Sequence, residues 1–208
     1  MAKQKDNPTW LDNDLNDRLY QILSAAQTLF AEKSFRYTEV ADIAQSAGMS
    51  KATIYKYFTS KDQILLRIVE ENFRYIRDLV VLKLLTGTEP PLQRLKTAAL
   101  EVAAHLDNNR SFVHVLIKDA GECMPEIQRM HHSIMHANSK IAEALFASLK
   151  KDGEIPDLAG GDLLRIVSDI CIGAMYSWVL SDSGTLVSSV EFYFKFLFKG
   201  AGHARPAS

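Results

Sequence analysis

A chain of 208 residues with 47% hydrophobic side chains holds enough apolar mass for one large or two small cores, which excludes a disordered polymer. Its 24 basic and 25 acidic residues nearly cancel, so any case for nucleic acid has to rest on local arrangement. Two cysteines, Cys123 and Cys171, lie in stretches of helical period; they exclude a disulfide framework and read as reduced thiols packed as small hydrophobes.

The opening residues, MAKQKDNPTW, are polar and lack the apolar core of a signal peptide. Residues 1–12 and 202–208 read as tails. The longest uncharged stretch, Ile170 to Ser181, is shorter than the roughly 20 apolar residues a bilayer span needs. The expectation is a cytoplasmic protein with no membrane partner. Strand signals are nearly absent, and breakers divide the chain into about nine helical segments. In the first, apolar residues recur at three and four: Leu19, Ile22, Leu23, Ala26, Leu29 and Phe30.

Residues 38–63, TEVADIAQSAGMSKATIYKYFTSKDQ, are the informative stretch. Thr38 is expected as an N-cap, with Glu39 in the first turn where a carboxylate suits the helix dipole. Val40, Ile43, Ala44 and Ala47 line one face of the short helix that follows. Gly48 then supplies a left-handed C-terminal residue, and Ser50 caps the next helix. Two short helices joined by a tight glycine turn make a helix-turn-helix.

At 100° per residue, Ile54 and Phe58 of the second of these helices fall together and turn inward. Ala52, Thr53 and Lys56 point the other way, flanked by Tyr55 and Tyr57. Such a face suits a major groove. Ala52 permits close approach, Thr53 can reach a base edge or a thymine methyl, and Lys56 can reach guanine or phosphate. Lys51 and the tyrosine hydroxyls are placed to donate to phosphates. From Ile43 to Lys61 there are three lysines and no acid, so this surface is locally basic although the chain is not. Ser60-Lys61-Asp62-Gln63 reads as a capping box opening a long fourth helix, with Lys61 at hand for another phosphate.

The order of a helix ending in Leu-Phe, then Thr-x-Val-x-x-Ile-Ala, Ala-Gly-Met-Ser-Lys, Thr-Ile-Tyr-x-Tyr-Phe and Ser-Lys resembles the DNA-binding domain of the TetR family of transcriptional regulators. The matching stretch runs from about Leu19 to Leu66. Two positions depart from the family's usual glycines: Ser34 before Phe35, and Ala52 before Thr53. The resemblance implies that Thr53, Tyr55, Lys56 and Tyr57 face DNA and that Lys61 touches the backbone. The full DNA-facing set expected is Thr38, Ser50, Lys51, Ala52, Thr53, Tyr55, Lys56, Tyr57 and Lys61.

It also implies an all-α fold. A three-helix DNA-binding domain over 13–63 precedes a helical ligand-binding and dimerisation bundle over 64–202. The function implied is that of a one-component repressor, dimeric on a palindromic operator and released by a small lipophilic effector.

The later segments carry no local signature. Segments near 158–181 and 185–201 are apolar over more of their circumference than a surface helix needs. Joined with the family's habit, this makes them the expected dimer interface, through Leu163, Leu164, Val167, Cys171, Ala174, Val190, Phe194 and Leu197. Phe112, His114, Val115, Lys118, Met124, Met135, Met175 and Trp178 are candidates for a ligand pocket, although methionines and aromatics at this spacing equally make plain core. His132 and His136 share a face but lack the third and fourth ligands of a tight metal site. With His131 they read as a solvated helix face, so neither a metal nor a cofactor is expected. Two rivals stand beside the regulator. One is a DNA-binding architectural or ligand-independent protein. The other is an all-helical enzyme, for which no nucleophile with its base is evident.

Overall fold

The computed structural model describes residues 14–118, 120–151, 160–181 and 184–200, all helices and connecting turns. In chain order these are α1 (Asp14–Lys33), α2 (Val40–Ser46), α3 (Lys51–Tyr57), α4 (Lys61–Thr86), α5 (Pro91–Asn108) and α6 (Arg110–Lys118). A 3₁₀ turn (Gly121–Cys123) leads into α7 (Met124–Lys151), followed by α8 (Gly160–Ser181) and α9 (Leu186–Gly200). No strand occurs among the described residues.

The first three helices and the start of α4 form a small head. Ile22, Leu23, Ala26, Leu29 and Phe30 of α1 are buried against Ile43 and Ala44 of α2, Ile54 of α3, Phe58, and Ile64, Leu65 and Ile68 of α4. Each such side chain contributes about 1.5–3 kcal/mol when fully buried. Phe35 closes the head from below, its ring edge-on to Phe30 at 5.0 Å. The division expected at residue 63 falls within the first turn of α4, a helix that serves both the head and the bundle.

The turn after α1 uses a left-handed residue, and it is Ser34, at φ 71°. A Cβ in that conformation costs roughly 1–2 kcal/mol, while glycine adds roughly 0.5–1 kcal/mol of unfolded-state entropy. Ser34→Gly is therefore expected to stabilise the protein by about 0.5–1 kcal/mol in urea unfolding. No gain would mean that the Ser34 hydroxyl, which accepts from Arg36 N at 3.4 Å, offsets the strain.

The bundle is built from α4 to α9. α7 and α8 pack along their length, α4 lies across α5 and α7, and α5 meets α9. Asp107, near the end of α5, accepts from the free N–H groups of Leu186 (2.7 Å) and Val187 (3.0 Å) at the start of α9. This carboxylate also faces the positive end of the α9 dipole. His105 links α5 to α4: its Nε2 is 3.2 Å from Asn72 Oδ1 and its ring stacks on Tyr75 at 4.2 Å. Burial pushes its pKa down from 6.5 to about 4, so the link is between neutral groups at physiological pH.

α8 differs from expectation in one respect. Gly161–Ser181, with mean hydropathy 1.5, is long and apolar enough by composition to cross a membrane. The uncharged run alone does not suggest it, because Arg165 and Asp169 break the stretch. Leu163, Leu164, Val167, Ala174, Met175, Trp178 and Val179 are buried, so one side of this apolar helix is used inside the bundle.

Besides the continuous α4, the packing of α1 on α6 joins head to bundle. Gln27 Nε2 of α1 donates to Ser111 Oγ of α6 at 3.0 Å. The Cys123 thiol, before α7, lies 4.0 Å from Asp62 Oδ1 in the first turn of α4.

Candidate nucleic-acid interface and ligand cavity

The turn between α2 and α3 is a Schellman motif. Met49 N donates to Ala44 O (2.9 Å) and Gly48 N to Gln45 O (3.1 Å), with Gly48 at φ 66°. No atom lies within 4 Å of where a Gly48 Cβ would sit, so backbone conformation alone demands glycine there. Ser50 caps α3 by accepting from Thr53 N (3.1 Å), and the two hydroxyls are 2.9 Å apart. Ile54 and Phe58 are buried; Lys51, Ala52, Tyr55 and Lys56 are exposed, with Thr53 and Tyr57 half-buried beside them. Lys51 Nζ lies 5.9 Å from the Tyr55 ring centroid, within reach of the cation–π attraction that holds a long side chain along the helix.

Two residues expected at the DNA surface are placed otherwise. Thr38 is 1% exposed: its hydroxyl donates to Ser34 O (2.9 Å) and lies 3.3 Å from Leu29 O. The N-cap of α2 is Glu39, whose N–H donates to Asp42 Oδ2 (3.2 Å). Thr38 is drawn inward because the end of α1 leaves carbonyls that need donors.

The same need captures Lys61. Its Nζ donates to Phe35 O (2.6 Å) and Thr38 O (2.9 Å), lies 3.4 Å from Arg36 O, and sits 4.5 Å from the Phe35 ring centroid. An ammonium has three donors, and all three are directed at this turn rather than at solvent. The capping box of α4 is also shifted. Ser60 Oγ accepts from Gln63 N (3.3 Å), while the Gln63 side chain returns to Thr59 N (2.9 Å) rather than to Ser60.

A cavity of about 400 Å³ lies in the bundle, walled by α4 to α8. Phe73, Ile76 and Val80 come from α4; Leu95, Ala99 and Leu106 from α5; Phe112, Leu116 and Ile117 from α6. α7 contributes Gln128, His131, Met135 and Asn138, and α8 contributes Ser168, Cys171, Met175 and Tyr176. Four residues named from the sequence, Phe112, Met124, Met135 and Met175, are on the wall. Four others are not. Val115 is buried elsewhere, His114 accepts from Arg110 Nε (3.4 Å), and Lys118 is exposed. Trp178 donates to Gly184 O (3.2 Å) under the Arg110 guanidinium. α6 lies between the cavity and α1, so its residues divide between two neighbours.

His131, expected on a solvated face, is half-buried on the cavity wall, with Nε2 3.3 Å from Ser168 Oγ. Burial, and secondarily His132, hold its pKa below the usual histidine value, against a smaller opposing effect of Asp169. His132 and His136 are exposed. The stripe Gln128, His131, Met135, Asn138 at spacings of three and four was the available signal. Cys171, expected at a dimer interface, also lines the cavity, where burial raises its thiol pKa to about 11. No cluster of three metal-ligating side chains occurs among the described residues.

The expected interface residues are a correction as well. Leu163, Leu164, Val167, Ala174, Val190 and Phe194 are all buried within the protomer. The side chain of Leu197 lies outside the described residues. Among the described residues, the large apolar side chains that α8 and α9 leave exposed are Tyr176 (43%), Leu180 (78%), Phe192 (64%), Tyr193 (36%) and Phe196 (72%). A helix apolar on most of its circumference satisfies an inner and an outer face together, and periodicity cannot say which is which.

Residues 22–68 match the sequence profile of bacterial regulatory proteins, tetR family. The chain is 34% identical over 98 residues to the HTH-type transcriptional repressor KstR2 of Mycobacterium tuberculosis, a match covering 44% of this chain and 46% of that protein. It thus spans about half the length of the first curated relatives it matches. Many solved structures share its fold, two of them regulators named FadR. The fatty acid degradation regulator FadR of Bacillus halodurans superposes with a TM-score of 0.71 at 20% identity, over 91% of this chain and 97% of that one. FadR of Bacillus subtilis, in complex with stearoyl-CoA, gives 0.72 at 20% identity over 87% and 98%.

Proposed function

We propose that this chain, whose residues 22–68 match the bacterial regulatory proteins of the tetR family and whose matched relatives are transcriptional regulators, is itself a member of that family and a one-component repressor. It acts in the cytoplasm as a homodimer on a palindromic operator and leaves the DNA when a lipophilic effector enters the bundle. The observation that carries this reading is the exposed, acid-free face of α3 at one end of a continuous α4 whose Phe73, Ile76 and Val80 wall the cavity. The stearoyl-CoA bound to the Bacillus subtilis FadR supports a lipid-like effector.

Residues 13–63 form the DNA-binding domain and residues 64–202 the effector and dimerisation domain. Ser50 fixes the start of α3, Ala52 allows backbone approach, and Thr53 and Lys56 read base edges. Lys51, Tyr55 and Tyr57 hold phosphates. Two copies place their α3 helices in successive major grooves, about 34–36 Å apart. The dimer forms through the exposed face of Tyr176, Leu180, Phe192 and Phe196. Effector in the cavity displaces α4 and α6, both of which contact the head, and takes the two α3 helices out of register with the grooves.

The test begins with selection of bound sites from random double-stranded DNA by the purified protein. Thr53→Ala is expected to change preference at particular base pairs by about 1–3 kcal/mol. Tyr57→Phe should weaken all sequences alike, because a phosphate carries no base identity. The opposite pattern would reverse the assignment, and a flat salt dependence of affinity would remove the DNA reading altogether. Effector and operator must weaken each other's binding by the same factor.

A further inference from the structure

The cavity has one polar wall, and its chemistry narrows what can occupy it. Among the described residues, no Lys, Arg, Asp or Glu lines it. The walls from α4, α5 and α6 are entirely apolar, whereas α7 and α8 present Gln128, His131, Asn138 and Ser168. His131 and Ser168 are within hydrogen-bond distance of each other, but Asn138 is different. It is only 4% exposed, it lines the cavity, no hydrogen bond to its side chain occurs among the described residues, and its amide is not among the sealed atoms that lack a partner, so it opens on the cavity itself. An amide that opens on a mostly apolar cavity without a protein partner gains from a ligand atom that supplies one.

The shape is elongated. The lining on α7 runs from Met124 to Asn138 and that on α8 from Leu164 to Tyr176, about 21 and 18 Å at 1.5 Å per residue. A volume of about 400 Å³ along that length is a narrow slot.

We propose that the slot receives an uncharged, chain-like amphiphile whose hydroxyl or carbonyl group bonds the Asn138 amide, and that it rejects ionised chains of the same length. This rests on the cavity being the effector site. The amide serves either ligand group, its NH₂ donating to a carbonyl or its oxygen accepting from a hydroxyl. A carboxylate or ammonium drawn to the same place would lose hydration, with no opposite charge among the described wall residues to replace it. His131, held neutral by its burial, supplies no cation at physiological pH.

The test uses the purified full chain and three probes of equal length: 1-dodecanol, dodecanoate and dodecyltrimethylammonium, by titration calorimetry at neutral pH. The expected result is dodecanol binding at least about tenfold tighter than either ion. In Asn138→Leu, dodecanol should weaken about tenfold while the ions change little. The variant should unfold at the same or a higher temperature, since Asn138 bonds no neighbour among the described residues and leucine adds apolar contact, and that separates the effect from misfolding. Equal binding of dodecanol and dodecanoate, unchanged dodecanol affinity in Asn138→Leu, or no binding of dodecanol would each overturn the proposal. Its fate is separable from that of the effector reading. Dodecanol that binds with this selectivity yet leaves occupancy of the selected DNA sites unchanged would count against the effector reading and leave this inference standing.

Discussion

Leu180→Asp combined with Phe196→Asp is expected to give a folded monomer that binds DNA at least about 100-fold more weakly than the parent. Both side chains are more than 70% exposed, so replacing them removes nothing from the protomer's own core. Across a two-fold axis each is buried twice. Four such side chains at about 1.5–3 kcal/mol apiece contribute roughly 6–12 kcal/mol, comparable with the roughly 8 kcal/mol of a micromolar dimer. Four carboxylates placed there would add repulsion and desolvation cost. Phe194→Asp is the control: at 2% exposure it should unfold the bundle rather than dissociate it. Light scattering with circular dichroism separates these outcomes. A double variant that remains dimeric would remove this face from the interface.

The second large effect belongs to Lys61→Met. The sulfur-containing chain keeps the packing of the lysine stem over Phe35, but no donor remains for the carbonyls of Phe35 and Thr38. Charge-assisted bonds to half-buried acceptors are lost, at a cost of about 2–4 kcal/mol. The turn of residues 34–38 holds α2 against α1, so DNA affinity should fall with stability. The manner of the fall is diagnostic. A phosphate-binding lysine, when removed, lowers the slope of log affinity against log salt by about 0.9. A lysine that acts by holding the turn leaves that slope unchanged while lowering affinity at every salt concentration. A reduced slope with unaltered stability would restore Lys61 to the DNA surface.

These two predictions mark where sequence and structure part. Much of what is decided within a few residues was legible in the sequence, although the N-cap of α2 fell on Glu39 rather than Thr38 and the Gln63 side chain returned to Thr59 rather than Ser60. The 3.6-residue period set the helices, and the period within Lys51–Tyr57 turned Ile54 inward and left Lys51, Ala52, Tyr55 and Lys56 outside. Gly48 and Ser50 specified a turn and a cap through their own backbone and hydroxyl. The departure at Ser34 was visible only against the glycine usual in the resembled family, and the structure supplied its left-handed φ of 71°.

What the sequence left undecided was settled by partners far along the chain. Lys61 reads as a free cation until the carbonyls at positions 35 and 38, more than twenty residues earlier, are folded over its ammonium. Asp107 reads as an ordinary surface acid until the start of α9 arrives 79 residues later with N–H groups in need of an acceptor. His131, Asn138 and Cys171 became cavity residues, and Leu164 and Phe194 core residues, only when α7, α8 and α9 chose their neighbours. The physical reason is common to all of them. Capping and helical period are energies of neighbouring residues, whereas the burial of a helix apolar on nearly every side depends on which surfaces meet it, and only the tertiary structure brings those surfaces together.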